Sequence, residues 1–110
     1  RYRLTILSHR GSIIAMQTRE KALSDYLYGG RYPKGYPTGL EKPLKRKLQM
    51  LKAAHDVKDL KVPPGNKLEP LKGDLLGYWS IRVNQQYRLV FEWNDETKEA
   101  TDVHFTDYHH

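Results

Sequence analysis

The 110-residue chain contains no cysteine, which excludes disulfides, thiolate zinc sites and a cysteine nucleophile together. A reduced cytoplasm fits that absence and is the expected location. Long apolar runs are missing as well. The longest, Ile13 to Met16, is too short to span a bilayer or to serve as the apolar stretch of a signal peptide, so the chain reads as soluble, with no membrane contact. Acidic residues are in deficit, thirteen Asp and Glu against nineteen Lys and Arg, for a formal net charge of +6. On so small a chain this favours a polyanionic partner, nucleic acid first, although solvated surface charge gives the same excess until it is placed on one face. The five histidines include no pair at helical ligand spacing and no neighbouring carboxylates to complete a set, so no metal and no cofactor is expected.

What is present is enough apolar residue, 38%, for one core in a single domain spanning residues 1–110. Tyr2, Leu4 and Ile6 alternate with Arg3 and Thr5, the period of a half-buried strand. From Thr18 onward Ala22, Leu23, Tyr26 and Leu27 fall at helical spacing, and Gly29-Gly30 supplies a left-handed stop. Residues 31–39, with two prolines and two glycines around Tyr32 and Tyr36, form a connecting loop. A second helix follows, begun either by a Thr38–Glu41 capping box or by Pro43 as the first helical residue. Leu40, Leu44, Leu48 and Leu51 share its core face, while Lys42, Lys45, Arg46, Lys47 and Lys52 spread over the remainder, toward water or RNA.

After the turn at Val62-Pro63-Pro64-Gly65-Asn66, three runs rich in aromatic and β-branched residues, Tyr78–Val83, Tyr87–Trp93 and Thr101–Tyr108, predict an antiparallel meander. A three-residue loop at 84–86 pairs Val83 with Tyr87, Ile81 with Leu89 and Trp79 with Phe91, all on one face; a two-residue loop would mix apolar and charged positions. On the opposite face Arg82 then sits directly across from Arg88. Like charges so placed destabilise a strand pair by up to ~1 kcal/mol, and either a carboxylate from elsewhere or a bound phosphate offsets the repulsion. Extending the register pairs Leu89 with Phe105 and Phe91 with Val103, which puts His104 and Thr106 on the arginine face.

These residues suit RNA cleavage by the neighbouring 2′-hydroxyl, which needs no metal but does need proton removal, proton delivery and charge stabilisation. Lys72, Arg82 and Arg88 supply cations, His109 titrates near neutrality, and Asp107 orients or balances a cation. Tyr108 offers a phenol or a ring on which a base stacks. Each also has an ordinary reading, Lys72 as exposed surface and Asp107-Tyr108-His109 as a polar tail.

The string from Val62 through Pro63-Pro64-Gly65-Asn66-Lys67-Leu68-Glu69-Pro70-Leu71-Lys72-Gly73 to Asp74, then Gly77-Tyr78-Trp79-Ser80-Ile81-Arg82-Val83-Asn84, Tyr87-Arg88-Leu89-Val90-Phe91 and Asp107-Tyr108-His109, resembles the signature of HigB-type toxins of the RelE/ParE superfamily. The resemblance covers roughly residues 15 to 109. It implies an α+β, RelE-like fold, two N-terminal helices on a small, twisted, mainly antiparallel sheet. It further implies a type II toxin that cleaves messenger RNA in the ribosomal A site by metal-independent 2′-hydroxyl attack. The implied partners are the ribosome with its mRNA and a HigA-like antitoxin bearing a helix-turn-helix, with operator DNA reached only through the antitoxin. By position, Lys72 matches the family's catalytic lysine, Asp107, Tyr108 and His109 its C-terminal cluster, and Arg88 an arginine that contacts phosphate. Arg82 and Asn84 match common residues and, with Lys45, Arg46 and Lys47 of the basic helix, are the expected RNA contacts. Where some members carry a histidine three positions before the lysine, this chain has Glu69, which receives no catalytic role. Residues 1–14 depart from the pattern as an N-terminal extension or an extra strand. The rival function is a ParE-like toxin that binds and poisons DNA gyrase, for which the convergent phosphate-handling groups would be superfluous. A third is a toxin-derived modulator of antitoxin binding to operator DNA.

Overall fold

Alternation of apolar and polar residues along the second half of the chain builds most of one six-stranded sheet, two N-terminal strands complete it, and two amphipathic helices cover one of its faces. The computed structural model describes residues 2–7 and 13–107. Its elements are β1 (Tyr2–Leu7), β2 (Ile13–Thr18), α1 (Lys21–Leu27), α2 (Glu41–Ala53), β3 (Glu69–Pro70), β4 (Tyr78–Arg82), β5 (Tyr87–Asn94) and β6 (Glu99–Asp107). The strands lie in the order β1-β2-β6-β5-β4-β3. Every pairing is antiparallel except the short parallel contact in which Thr18 of β2 meets Val103 of β6. The α+β architecture expected from the sequence is therefore present.

Ile81, Leu89 and Phe91 point to the helices and are fully buried against Leu44 and Leu48 of α2, with Leu23 and Leu27 of α1 beside them. Leu40, Leu44, Leu48 and Leu51 all reach the core. The Gly29 stop adopts φ +96°, a conformation that L side chains rarely adopt. Neither expected start of α2 holds: its cap is Leu40, without a side-chain hydrogen bond. Pro43 becomes the third helical residue, where the missing amide would have no intrahelical partner in any case.

Other differences have local causes. Thr18 ends β2 rather than opening α1, and Ile13 to Met16 belongs to that strand. The expected strand at Tyr2–Ile6 is β1, paired along its length with β2. Two-residue β3 adds an edge that alternation cannot reveal. The β4–β5 register is the expected one, with Val83 N–H bonded to Tyr87 O at 2.9 Å and Arg82 opposite Arg88. Leu89 pairs with Phe105 as expected. Phe91 and Val103 do not pair, because β6 carries an extra residue between the rungs Val90–His104 and Glu92–Thr101. Asp102, in that bulge, takes φ +51°.

Truncating Leu48, fully buried at the helix–sheet contact, should destabilise the fold by about 2–5 kcal/mol as Leu48→Ala. Urea unfolding followed by circular dichroism measures this directly, and a change below about 0.5 kcal/mol would contradict the packing described.

Candidate nucleic-acid interface

The β4–β5 register brings two guanidinium groups to one rung, and their surroundings differ. Arg88 is anchored. Its Nη1 donates to Ser80 Oγ at 2.7 Å and to the Lys67 carbonyl at 3.2 Å, and lies 3.5 Å from Glu69 Oε1. The Arg88 side chain is only 11% exposed. The carboxylate, one of the two ways of offsetting the like-charge pair, is thus supplied within the chain. Arg82 is half-buried, and its guanidinium makes no hydrogen bond or ion pair among the described residues. One fixed and one uncommitted guanidinium on a single rung have the charge and the donors to hold an anionic oxygen.

Glu69 is the member of this group to which sequence reasoning gave no role. β3 pairs it with Ser80, so it shares a face with the arginines. Its Oε1 is enclosed and has no hydrogen-bond partner, because the approach of Arg88 is an ion pair without hydrogen-bond geometry. The signal that could have found it is the Glu69–Arg88 charge complementarity, legible only once β3 is known to be a strand.

The remaining expected residues separate. Lys72 is exposed and follows the end of β3 whose Pro70 meets Trp79, whereas Arg82 lies at the other end of β4. Among the described residues no hydrogen bond or ion pair joins the Lys72 ammonium to the arginine rung. Asp107 lies opposite Tyr87, next to the Arg88–Thr106 rung, and its Oδ2 accepts from Gln86 Nε2 at 3.0 Å. Asn84 holds the β4–β5 turn: its Oδ1 accepts from the Gln86 and Tyr87 amides at 2.8 and 2.7 Å, leaving its amide nitrogen to meet a ligand. Tyr108 and His109, like His110, lie outside the described residues.

The basic helix also divides. Arg46 is exposed. The Lys45 ammonium donates to the Tyr26 carbonyl and sits 4.3 Å from the centre of that ring. Lys47 corrects the sequence expectation: it is buried, bonded to Asn66 Oδ1, and its pKa is lowered by burial and by neighbouring Arg46. It ties α2 to the turn before β3 and presents no charge to a partner.

A second polar cluster lies further along the arginine face. Arg19 grips Asp102 with two hydrogen bonds, Nε to Oδ1 at 3.1 Å and Nη2 to Oδ2 at 2.8 Å. The Tyr78 hydroxyl donates to the same carboxylate, which holds the phenol above its ordinary pKa. His104 Nδ1 lies 2.8 Å from the Asp102 carbonyl oxygen, and its ring meets Tyr78 edge-on, 6.1 Å between centres. Burial pushes the imidazole below its usual pKa, with Arg19 adding to the depression against the opposing Asp102 carbonyl. No group of three or more potential metal ligands occurs among the described residues, and no helix among them is long and apolar enough to cross a membrane.

A helix pair on a mainly antiparallel sheet is the architecture of the RelE-like α+β fold. A solved YoeB–YefM complex from Staphylococcus aureus shares the fold at a TM-score of 0.50, with 23% identity, covering 86% of this chain and 95% of that one. The family described as the RelE-like toxin of type II toxin-antitoxin system HigB matches residues 16–109, and the chain belongs to it. Toxin HigB-1 of Vibrio cholerae is 43% identical over 82 residues, 74% of this chain and 86% of that protein. The Endoribonuclease HigB of Proteus vulgaris is 44% identical over 43 residues, 39% of this chain and 45% of its own length. β1 and the first residues of β2 precede the matched region.

The depressed His104 pKa sets a stability window. Between its folded value and the unfolded value of about 6.5 the unfolded chain binds more protons, so stability falls as pH drops through that interval. Wild type should lose more thermal stability than His104→Gln between about pH 7 and pH 5. Parallel melting curves for the two proteins would contradict the burial of this ring.

Proposed function

We propose that the chain is a ribosome-dependent endoribonuclease, a toxin that cuts messenger RNA in the A site and so stops translation in the cytoplasm. The observation that carries this reading is the facing pair Arg82 and Arg88, one anchored and one uncommitted, on the sheet face opposite the helices. Membership of the HigB family and the endoribonuclease name of the Proteus vulgaris relative support it.

In the proposed reaction the ribose 2′-oxygen attacks the adjacent phosphorus, the bond from phosphorus to the 5′-oxygen breaks, and a 2′,3′-cyclic phosphate and a 5′-hydroxyl result. The chemistry needs no metal, because the nucleophile belongs to the substrate. Arg82 and Arg88 neutralise the charge that builds on the phosphoryl oxygens. Glu69, whose carboxylate stands beside Arg88 with 38% of its side chain exposed, accepts the 2′-hydroxyl proton. Lys72 adds charge stabilisation, and Asp107, Tyr108 and His109, which match the family's C-terminal catalytic cluster, supply the groups among which the 5′-oxygen finds its proton. The Asn84 amide nitrogen, Lys45 and Arg46 contact RNA, while buried Lys47 leaves the set. The partners are the ribosome with its mRNA and a HigA-like helix-turn-helix antitoxin, through which alone the toxin reaches operator DNA.

Primer extension on a translated message should show new codon-phased ends with the protein and none on naked RNA. Arg88→Ala should lower kcat/KM by about 10²–10³-fold, with strong losses also for Glu69→Gln, Lys72→Ala and His109→Ala in variants that keep wild-type melting. Absence of codon-phased ends from the wild type sinks the reading, and undiminished cutting by Arg88→Ala sinks the site. Arg46→Ala should weaken ribosome binding at low salt and flatten its salt dependence by roughly one phosphate contact; unchanged affinity would return that helix face to ordinary surface.

A further inference from the structure

The Arg19–Asp102–Tyr78–His104 cluster has no task in the reaction just described, yet it is built with care for the orientation of one ring. Asp102 sits in a β-bulge with positive φ, and three hydrogen bonds from two different segments hold its buried carboxylate in place. That fixes its carbonyl oxygen, which contacts His104 Nδ1 at 2.8 Å. A carbonyl only accepts, so Nδ1 carries the proton and Nε2 keeps its lone pair. Nε2 has no hydrogen-bond partner among the described residues, and the ring is half-buried rather than enclosed.

Placement gives this lone pair an object. His104 pairs with Val90 and the next rung on the same face is Arg88–Thr106, about 7 Å along the strands. A phosphate on the arginines leaves its own nucleoside within that reach. We infer that His104 is a base-reading residue, whose Nε2 accepts a hydrogen bond from the exocyclic amine of a nucleotide flanking the phosphate held at Arg82 and Arg88. At purine C6 and pyrimidine C4, where the amine is read, adenine and cytosine carry it, whereas guanine and uracil carry a keto oxygen there that would oppose one lone pair with another. Cleavage is thereby biased toward codons with adenine or cytosine at one site. The inference rests on the ribonuclease reading and deepens it to codon preference.

The groups around the ring keep it neutral for this purpose. Arg19 precedes α1 beside Glu20, Tyr78 comes from β4 and Asp102 from its own strand; Glu92 of β5 and Arg88 lie on flanking rungs of the same face. Arg19 and burial disfavour the imidazolium against Asp102 and Glu20, and the lowered pKa is the net result.

The test is a cycle of two changes on programmed ribosomes, with inosine replacing adenosine at each position of a single A-site codon and His104 replaced by Phe. Inosine exchanges the 6-amine for a keto oxygen and turns N1 from an acceptor into an N–H donor, so the effect assigned to His104 is the part that His104→Phe abolishes. Wild type should cut the inosine message several-fold to about tenfold more slowly at one position. His104→Phe should cut both messages at equal rates, and His104→Gln, which keeps an acceptor oxygen, should retain part of the preference. The inference fails if the Phe variant, melting as a folded protein, discriminates adenosine from inosine as the wild type does, or if the wild type discriminates at no position. Wild type that cuts no ribosome-bound message gives a different result, the failure of the ribonuclease reading itself.

Discussion

The turn between β4 and β5 fixes which side of the sheet each of their residues occupies, and the rest of the molecule is arranged around that register. Asn84 holds the turn by accepting two backbone amides, so Val83 meets Tyr87 and every second residue beyond them follows. Ile81, Leu89 and Phe91 are thereby committed to the helices and lose all solvent exposure. A slip of one residue would set Val83 opposite Arg88 and so bring one of the two arginines onto the core face while turning the apolar residues of one strand outward. Burial of three large apolar side chains, worth roughly 1.5–3 kcal/mol each, outweighs the ~1 kcal/mol of like-charge repulsion that the same register imposes on the opposite face. The arginine pair is a forced consequence of the core, and Glu69 and Ser80 make it tolerable.

A second constraint joins the start of the helical layer to the sheet. Arg19 reaches Asp102 from the segment between β2 and α1, and Tyr78 reaches the same carboxylate from β4. The Arg19 amide also bonds the Val103 carbonyl at 2.8 Å, so backbone and side chain act at one junction. A buried carboxylate without such partners would be driven toward protonation. With them it stabilises the bulge and sets the direction of His104. The same interaction therefore serves the fold and shapes the candidate site.

The basic helix shows how weakly a charge pattern specifies exposure. Lys45, Arg46 and Lys47 are consecutive, yet Arg46 faces water, Lys45 lies over the Tyr26 ring, and Lys47 enters the protein to meet Asn66. At one hundred degrees per residue three neighbours cannot share a face. The lysine stem also carries enough apolar length to pack inside when a polar acceptor waits at its end.

The sequence by itself determined the two helices, the meander β4–β5–β6, the β4–β5 register and the meeting of Arg82 with Arg88, because alternation and turn length are local and leave few solutions. The HigB-like family was legible from the blocks around Lys72, Arg88 and Asp107 for the same reason: short motifs survive as strings. Only the tertiary structure decided that Glu69 stands beside Arg88, that Lys47 is internal, and that Asp102 bulges under the grip of Arg19, eighty-three residues away. Those outcomes depend on pairing between distant segments and on one extra residue in β6. No periodicity within a single strand records either, since each arises from the competition of many groups for the same buried volume.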